Sequence, residues 1–297
     1  MTKSRLSSKN SVRAALNSLF LISLILLSGC TSVTNPTYSR ENLTQSIQDV
    51  CKKEYKLDVR ARLTGDTLWV YLPVEDLLVK SEKPEKYTEK FIIERNEPMS
   101  DSGSLKFEYL IKPVEDREKT QEYKYNKQIL EKINNVWKVL RRVVFSLDRT
   151  KTGEPKLYCL IVADIKNGFY TREVFYYLDL KKVSYEYISW GEYQHRAIQD
   201  ADLNPQIIGD REGDSLDYRN ITMREFITGQ ILHRIKLKFQ KPEVEKNADI
   251  DKEIIKIIAY TVKTYGFKDF DAVELNNLAS KNRIILNQAA LLSKPTE

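Results

Sequence analysis

The chain is short of the residues from which most recognisable sites are built. Ten glycines in 297 residues argue against Gly-rich phosphate loops and low-complexity repeats. There are two histidines, His195 in WGEYQHRAI and His233 in GQILHRIKL. Neither has a partner four residues on, so the helical zinc-binding pair is missing. No strong excess of one charge sign exists either. The formal net charge is +6, but Lys3, Arg5, Lys9 and Arg13 supply four of the positive charges before residue 14. Beyond residue 29 the chain carries 44 basic and 42 acidic residues. A near-neutral balance with mixed signs reads as solvated surface and gives no stripe for nucleic acid.

What is present begins at the N-terminus. A basic head with no acidic residue is followed by Ala14–Leu27 (AALNSLFLISLILL), an uncharged run of about fourteen residues, fewer than the roughly twenty a spanning helix needs. It ends in Leu27-Ser28-Gly29-Cys30. Basic head, short apolar run and small residues are the parts of an export signal. The last four positions resemble the lipobox of bacterial lipoproteins. That resemblance implies recognition through Leu27, Ser28 and Gly29, cleavage before Cys30, and acylation of Cys30. It implies a cell-envelope location, facing the periplasm from the outer membrane if the cell has two membranes, since Thr31 is not the Asp that favours inner-membrane retention. Residues 1–29 are then a signal peptide, and 30–39 a polar lipidated tether. In that oxidising compartment Cys51 and Cys159 are a candidate disulfide pair, with two buried free thiols as the alternative.

The remainder reads as α+β, built from three helix–β-hairpin units over 40–125, 126–240 and 241–297. In the first, Leu43, Ile47, Val50 and Cys51 recur at helical spacing. Leu57–Leu63 then alternates apolar and charged, Gly65 turns the chain, and Thr67–Leu72 is rich in strand formers. In the second, an apolar stripe from Ile129 to Leu147 marks a helix over 126–148. Lys156–Ile165 and Phe169–Leu178 are the strands, and Asn167-Gly168 matches a two-residue type I′ turn. In the third, a helix over 249–265 stops at Gly266, and Ala272–Asn276 and Arg283–Gln288 are the strands. Residues 74–125 interrupt this order with an inserted hairpin that pairs Phe91–Ile93 with Leu105–Tyr109. It is expected to project and offer an edge to a partner. Residues 180–239 read as mainly helical, with a loop near 204–218. The helix-strand-strand order is similar to that of BON domains, small envelope modules associated with phospholipid binding. It also resembles the ring-building modules of secretion channels.

Chemistry is sparse. Cys159 sits inside an apolar strand, as a packing residue would. The loop Gly209–Asp217 gathers carboxylates, the ligands calcium favours, but lacks the EF-hand pattern and reads as an exposed acidic loop. The seventeen tyrosines, among them Tyr170, Tyr176, Tyr177, Tyr185, Tyr187 and Tyr193 beside Trp190, serve either to pack helices on the sheet or to anchor a partner. The expectation is a membrane-anchored, non-enzymatic interaction or assembly module. It needs no cofactor or metal, and its partner is another envelope protein. A phospholipid-binding module and a tethered hydrolase are the alternatives.

Overall fold

The computed structural model describes residues 38–99, 103–147, 154–240 and 244–293. Leu27, Ser28, Gly29 and Cys30 lie outside them. The fold is α+β, with seven helices and two mixed sheets among the described residues. All three expected helix–hairpin units are present. They are α1 (Leu43–Tyr55) with β1 (Arg60–Thr64) and β2 (Thr67–Val74), α2 (Lys127–Ser146) with β5 (Leu157–Asp164) and β6 (Phe169–Tyr176), and α6 (Ile250–Tyr265) with β8 (Ala272–Asn277) and β9 (Asn282–Asn287). The helices form where their residues say they should. The Asn126 side chain accepts from Gln128 N–H at 3.0 Å to cap α2, Asp249 does the same for Lys252 at the start of α6, and Gly266 ends α6 in the left-handed region at φ +59°.

Strands β3 (Leu78–Met99) and β4 (Leu105–Tyr125) correct the expectation of a projecting insertion. They build a second sheet, in the order β3-β4-β8-β9. The first sheet runs β1-β2-β5-β6-β7, where β7 is Ile198–Leu203. Each sheet is antiparallel except at one central junction, β2 with β5 and β4 with β8. Strand β4 alternates at its start, with Leu105, Phe107, Tyr109 and Ile111 all buried. Their cover comes from α5 (Met223–Gln240) and α6. Phe239 of α5 meets Phe91 of β3 at 5.3 Å between ring centres, and Phe226 meets Tyr176 of β6 at 6.2 Å. Helix α5 therefore lies between the sheets. On the other face of the first sheet, Leu68, Val70, Leu72, Leu160 and Val162 pack with α1 and α2. Being covered on both faces, β2 and β5 are apolar along almost their whole length.

Between the two sheets, β3 and β4 run as a ribbon exposed on both sides over Glu82–Tyr87 and Glu115–Tyr125. Cross-strand pairs such as Lys86–Glu118 (2.7 Å) and Lys119–Glu89 (2.6 Å) hold it. Pro84, Pro113 and three register irregularities interrupt its edges, which discourages pairing with another chain.

The second and third units share more than element order. The last parallel pair is Val74 with Asp164 in one sheet and Tyr109 with Asn277 in the other. The next N–H, from Ile165 or Leu278, donates to the Val74 or Tyr109 carbonyl, at 2.9 Å in each. Asp164 Oδ1 accepts from the amides of Lys166 and Asn167, and Asn277 Oδ1 from those of Ala279 and Ser280. The last loop residue is left-handed in both, Gly168 at +67° and Lys281 at +58°. Each second strand leads into a short helix, α3 (Tyr177–Ser184) and α7 (Gln288–Leu292). The same local solution is used twice.

This geometry corrects the turn at Asn167-Gly168. A type I′ turn needs two positive φ angles, and only Gly168 has one. The loop is four residues, closed by Gly168 N–H donating to Asp164 O at 3.0 Å. Gly168 remains required, because a Cβ there would stand 3.3 Å from Ile208 in addition to the backbone cost. Gly168→Val is expected to destabilise the protein by about 1 kcal/mol or more. Equal urea midpoints for variant and parent would rule this out.

The segment 180–239 is also less helical than its sequence suggests. It holds α3, α4 (Trp190–Arg196), β7, a single 3₁₀ turn at Pro205–Ile207, and α5.

Candidate functional site

A cleft of about 640 Å³ opens between the two sheets. Its floor is α5, from Arg224 to Lys236. One wall is the far end of the β3–β4 hairpin, with Asn96, Met99 and Lys106. The other is Arg172 of β6 with Ile198 and Asp200 of β7. Gly229 lets α5 lie against β7, since a Cβ there would fall 2.9 Å from Ile198 Cδ1. Asn96 ties β3 to the same helix, donating from Nδ2 to the Leu232 carbonyl at 3.0 Å.

Five cations line the cleft, and four are paired. Arg172 meets Asp200 at 2.8 Å across the strand pair, Lys106 meets Glu274 at 3.3 Å, Arg224 meets Asp269 at 3.6 Å, and Arg219 meets Glu225. Lys236 is in no ion pair among the described residues. His233 is buried, and among the described residues its Nε2 has no hydrogen-bond partner, so none of their hydroxyls or thiols is held against it. Burial pushes its pKa down from 6.5 to about 4. The folded state holds His233 neutral where the unfolded chain takes up a proton, so stability falls as pH drops from about 6.5 to about 4. His233→Leu is expected to lose this component. Parallel curves of urea midpoint against pH for the two proteins would contradict it.

Strand β7 is one edge of the first sheet, β1 being the other. Asn204 N–H donates to Gly168 O at 2.8 Å. With the β6–β7 register, alternation directs the backbone groups of Gln199, Ala201 and Leu203 away from β6. Leu203 is 74% exposed, and Ile208, just past the strand, is 57% exposed.

The other residues singled out in the sequence fall elsewhere. Cys51 and Cys159 are both free and buried, Cys51 packed with α1 and α2 on one side of the first sheet and Cys159 in the core on the other. The candidate disulfide is not formed, because a sheet stands between them. Burial holds the Cys51 thiol up at about 12, far from the range of a reactive thiolate. The acidic loop is fastened rather than open. Glu212 pairs with Arg60 at 2.5 Å and Asp214 with Arg62 at 2.5 Å, while Asp210 accepts from the amides of Gly213, Asp214 and Ser215. No group of three or more metal-ligating side chains occurs among the described residues, and no helix there is long and apolar enough to cross a membrane. The tyrosines divide. Tyr176 and Tyr193 pack inward, whereas Tyr185 and Tyr187 are exposed.

Sequence reasoning did not reach a buried polar node. Asp179 Oδ1 accepts from Arg196 Nη1 at 2.9 Å, and its Oδ2 accepts from the Tyr265 hydroxyl at 2.8 Å. Glu192 Oε1 accepts from Arg196 Nε and Tyr260, both at 2.7 Å, and from Arg234 at 3.2 Å. The node ties α3, α4, α5 and α6 together. The only foreshadowing in the sequence is a set of charged and tyrosine residues on otherwise apolar helices.

No family model, curated protein or solved structure matches the chain.

Proposed function

We propose that this protein is a lipid-anchored module of the bacterial cell envelope, held through acylated Cys30, that works by binding another envelope protein. The address rests on Leu27-Ser28-Gly29-Cys30. One observation carries the binding role. Strand β7 is an edge whose outward backbone groups accompany exposed Leu203 and Ile208, beside a cleft that takes side chains. Such an edge accepts an extended segment by strand addition, with the cleft supplying selectivity. The paired cations of the cleft make it unlike the apolar slot a lipid tail would need. The unpartnered His233 gives a hydrolase no activated nucleophile.

A photo-crosslinking residue at position 203, in living cells, is expected to yield a discrete adduct with one envelope protein. Ala201→Pro removes an outward N–H and no β6–β7 bond, so it is expected to fold normally and to lose that adduct. An adduct that persists in folded Ala201→Pro would overturn strand addition.

A further inference from the structure

The described chain starts beside an unusual surface. Tyr38 N–H donates to Ser146 O at 3.2 Å, and Tyr38 pairs with Leu147, just past the end of α2. Phe145, the neighbour of Ser146, is 39% exposed and meets Tyr185 edge-on at 5.1 Å between ring centres. Tyr185 in turn meets Tyr187 at 6.3 Å. Tyr185 and Tyr187 are 62% and 79% exposed, and Trp190, at the start of α4, is 54% exposed. These rings are held outward. Glu186 adopts φ +62° between the tyrosines, and Trp190 is stacked on buried Tyr193 at 5.2 Å. Large rings fixed in water leave apolar surface unburied, which a fold does not favour without a use for it.

Resting on the anchored reading above, we infer that Phe145, Tyr185, Tyr187 and Trp190 form a docking face for the phospholipid bilayer surface. Only Thr31–Thr37 separate Cys30 from Tyr38. Fully extended, such a segment reaches roughly 25 Å. The point where the chain enters the fold must then stay near the headgroups, and Phe145 adjoins that point, with Tyr185 and Tyr187 linked to it ring to ring. Tyrosine and tryptophan are the side chains that settle at the boundary between headgroup and acyl chain, with ring inward and polar atom outward. The face adds a second contact to the lipid anchor and fixes which side of the domain looks away from the membrane.

The test uses the full chain purified in detergent and reconstituted in vesicles of phosphatidylethanolamine and phosphatidylglycerol, with and without bromine on the acyl chains. Bromine quenches only indoles within contact range. Of the three tryptophans, Trp69 is buried at 3% exposure, Trp137 packs against Phe175 and Tyr193 of the core, and Trp190 belongs to the face. Brominated vesicles are expected to quench the protein, Trp190→Phe to abolish the quenching, and the double variant Tyr185→Ser, Tyr187→Ser to weaken it. Near-ultraviolet circular dichroism checks that each variant is folded. Mass spectrometry of the same sample reads acylation of Cys30. A missing acyl chain overturns the anchor, and quenching in that sample still upholds the face. Equal emission in both vesicles, acylated or not, overturns the face. So does quenching that survives Trp190→Phe. Loss of quenching together with face-to-face dimers assigns these rings to a second copy of the chain and equally overturns the membrane assignment.

Discussion

Asp179→Ala is expected to destabilise the protein by about 2–4 kcal/mol, because it removes the more deeply buried of the two carboxylates that hold the Arg196 guanidinium and leaves only the partly exposed Glu192. Asp179 is fully buried and Arg196 nearly so. The variant also strands the Tyr265 hydroxyl, which among the described residues donates to Asp179 alone, and Tyr265 lies in the core against Phe226 at 5.3 Å between ring centres. Three helices lose their common fastening at once. An exposed pair supplies the contrast. Lys53–Asp49, at 3.7 Å on the surface of α1, is expected to change stability by less than about 1 kcal/mol when Asp49 is replaced by alanine. Urea unfolding of both variants decides the point. Similar small losses in the two would mean that the node is wetter, and less important, than its burial indicates.

Cys30→Ala is expected to be all-or-none in another respect. Lipid attachment requires the thiol, and no other cysteine is available, since Cys51 and Cys159 are buried in the folded core. Incorporation of radioactive palmitate should disappear, and the uncut precursor should accumulate. Each buried methylene of an acyl chain contributes about 0.8 kcal/mol to membrane attachment, so two or three chains hold the parent protein firmly. Parent and variant labelled to the same extent would remove the basis for an envelope address.

The sequence was most legible where one face is buried and the other wet, or where both are buried. The stripe on α2 and the apolar run of β5 were readable because burial imposes a period on residue type. Strand β7 was not. IQDADL buries Ile198 alone, so an edge strand exposed along the rest of its length carries no period to detect. The same holds for the ribbon of β3 and β4, whose Lys and Glu pair across strands without any apolar face. Asn167-Gly168 points to type I′ geometry, but Asp164 captures two loop amides and sets a longer turn. Long-range pairing was the least accessible. Nothing in residues 105–109 names residues 273–277 as their partner. The cleft and the aromatic face share that difficulty, since each joins elements far apart in the chain.

That long-range pairing has a consequence for how the protein is made. Strands β2 and β5 join residues 90 positions apart, whereas every β4–β8 pair spans 168. As the chain emerges into the compartment where it folds, the first sheet can close once β7 is present, but Leu105, Phe107, Tyr109 and Ile111 must wait for α5, α6 and β8. If the chain emerges at about the rate of its synthesis, roughly 5–20 residues per second, that wait, for the stretch from Ile111 to Asn277, is roughly 8–33 s. For its duration a strand with a ready apolar face stands uncovered on a half-made protein. Any helper that shields unfolded chains in that compartment has its natural target in residues 105–111, and a chain truncated between β6 and β8 would stick to its neighbours.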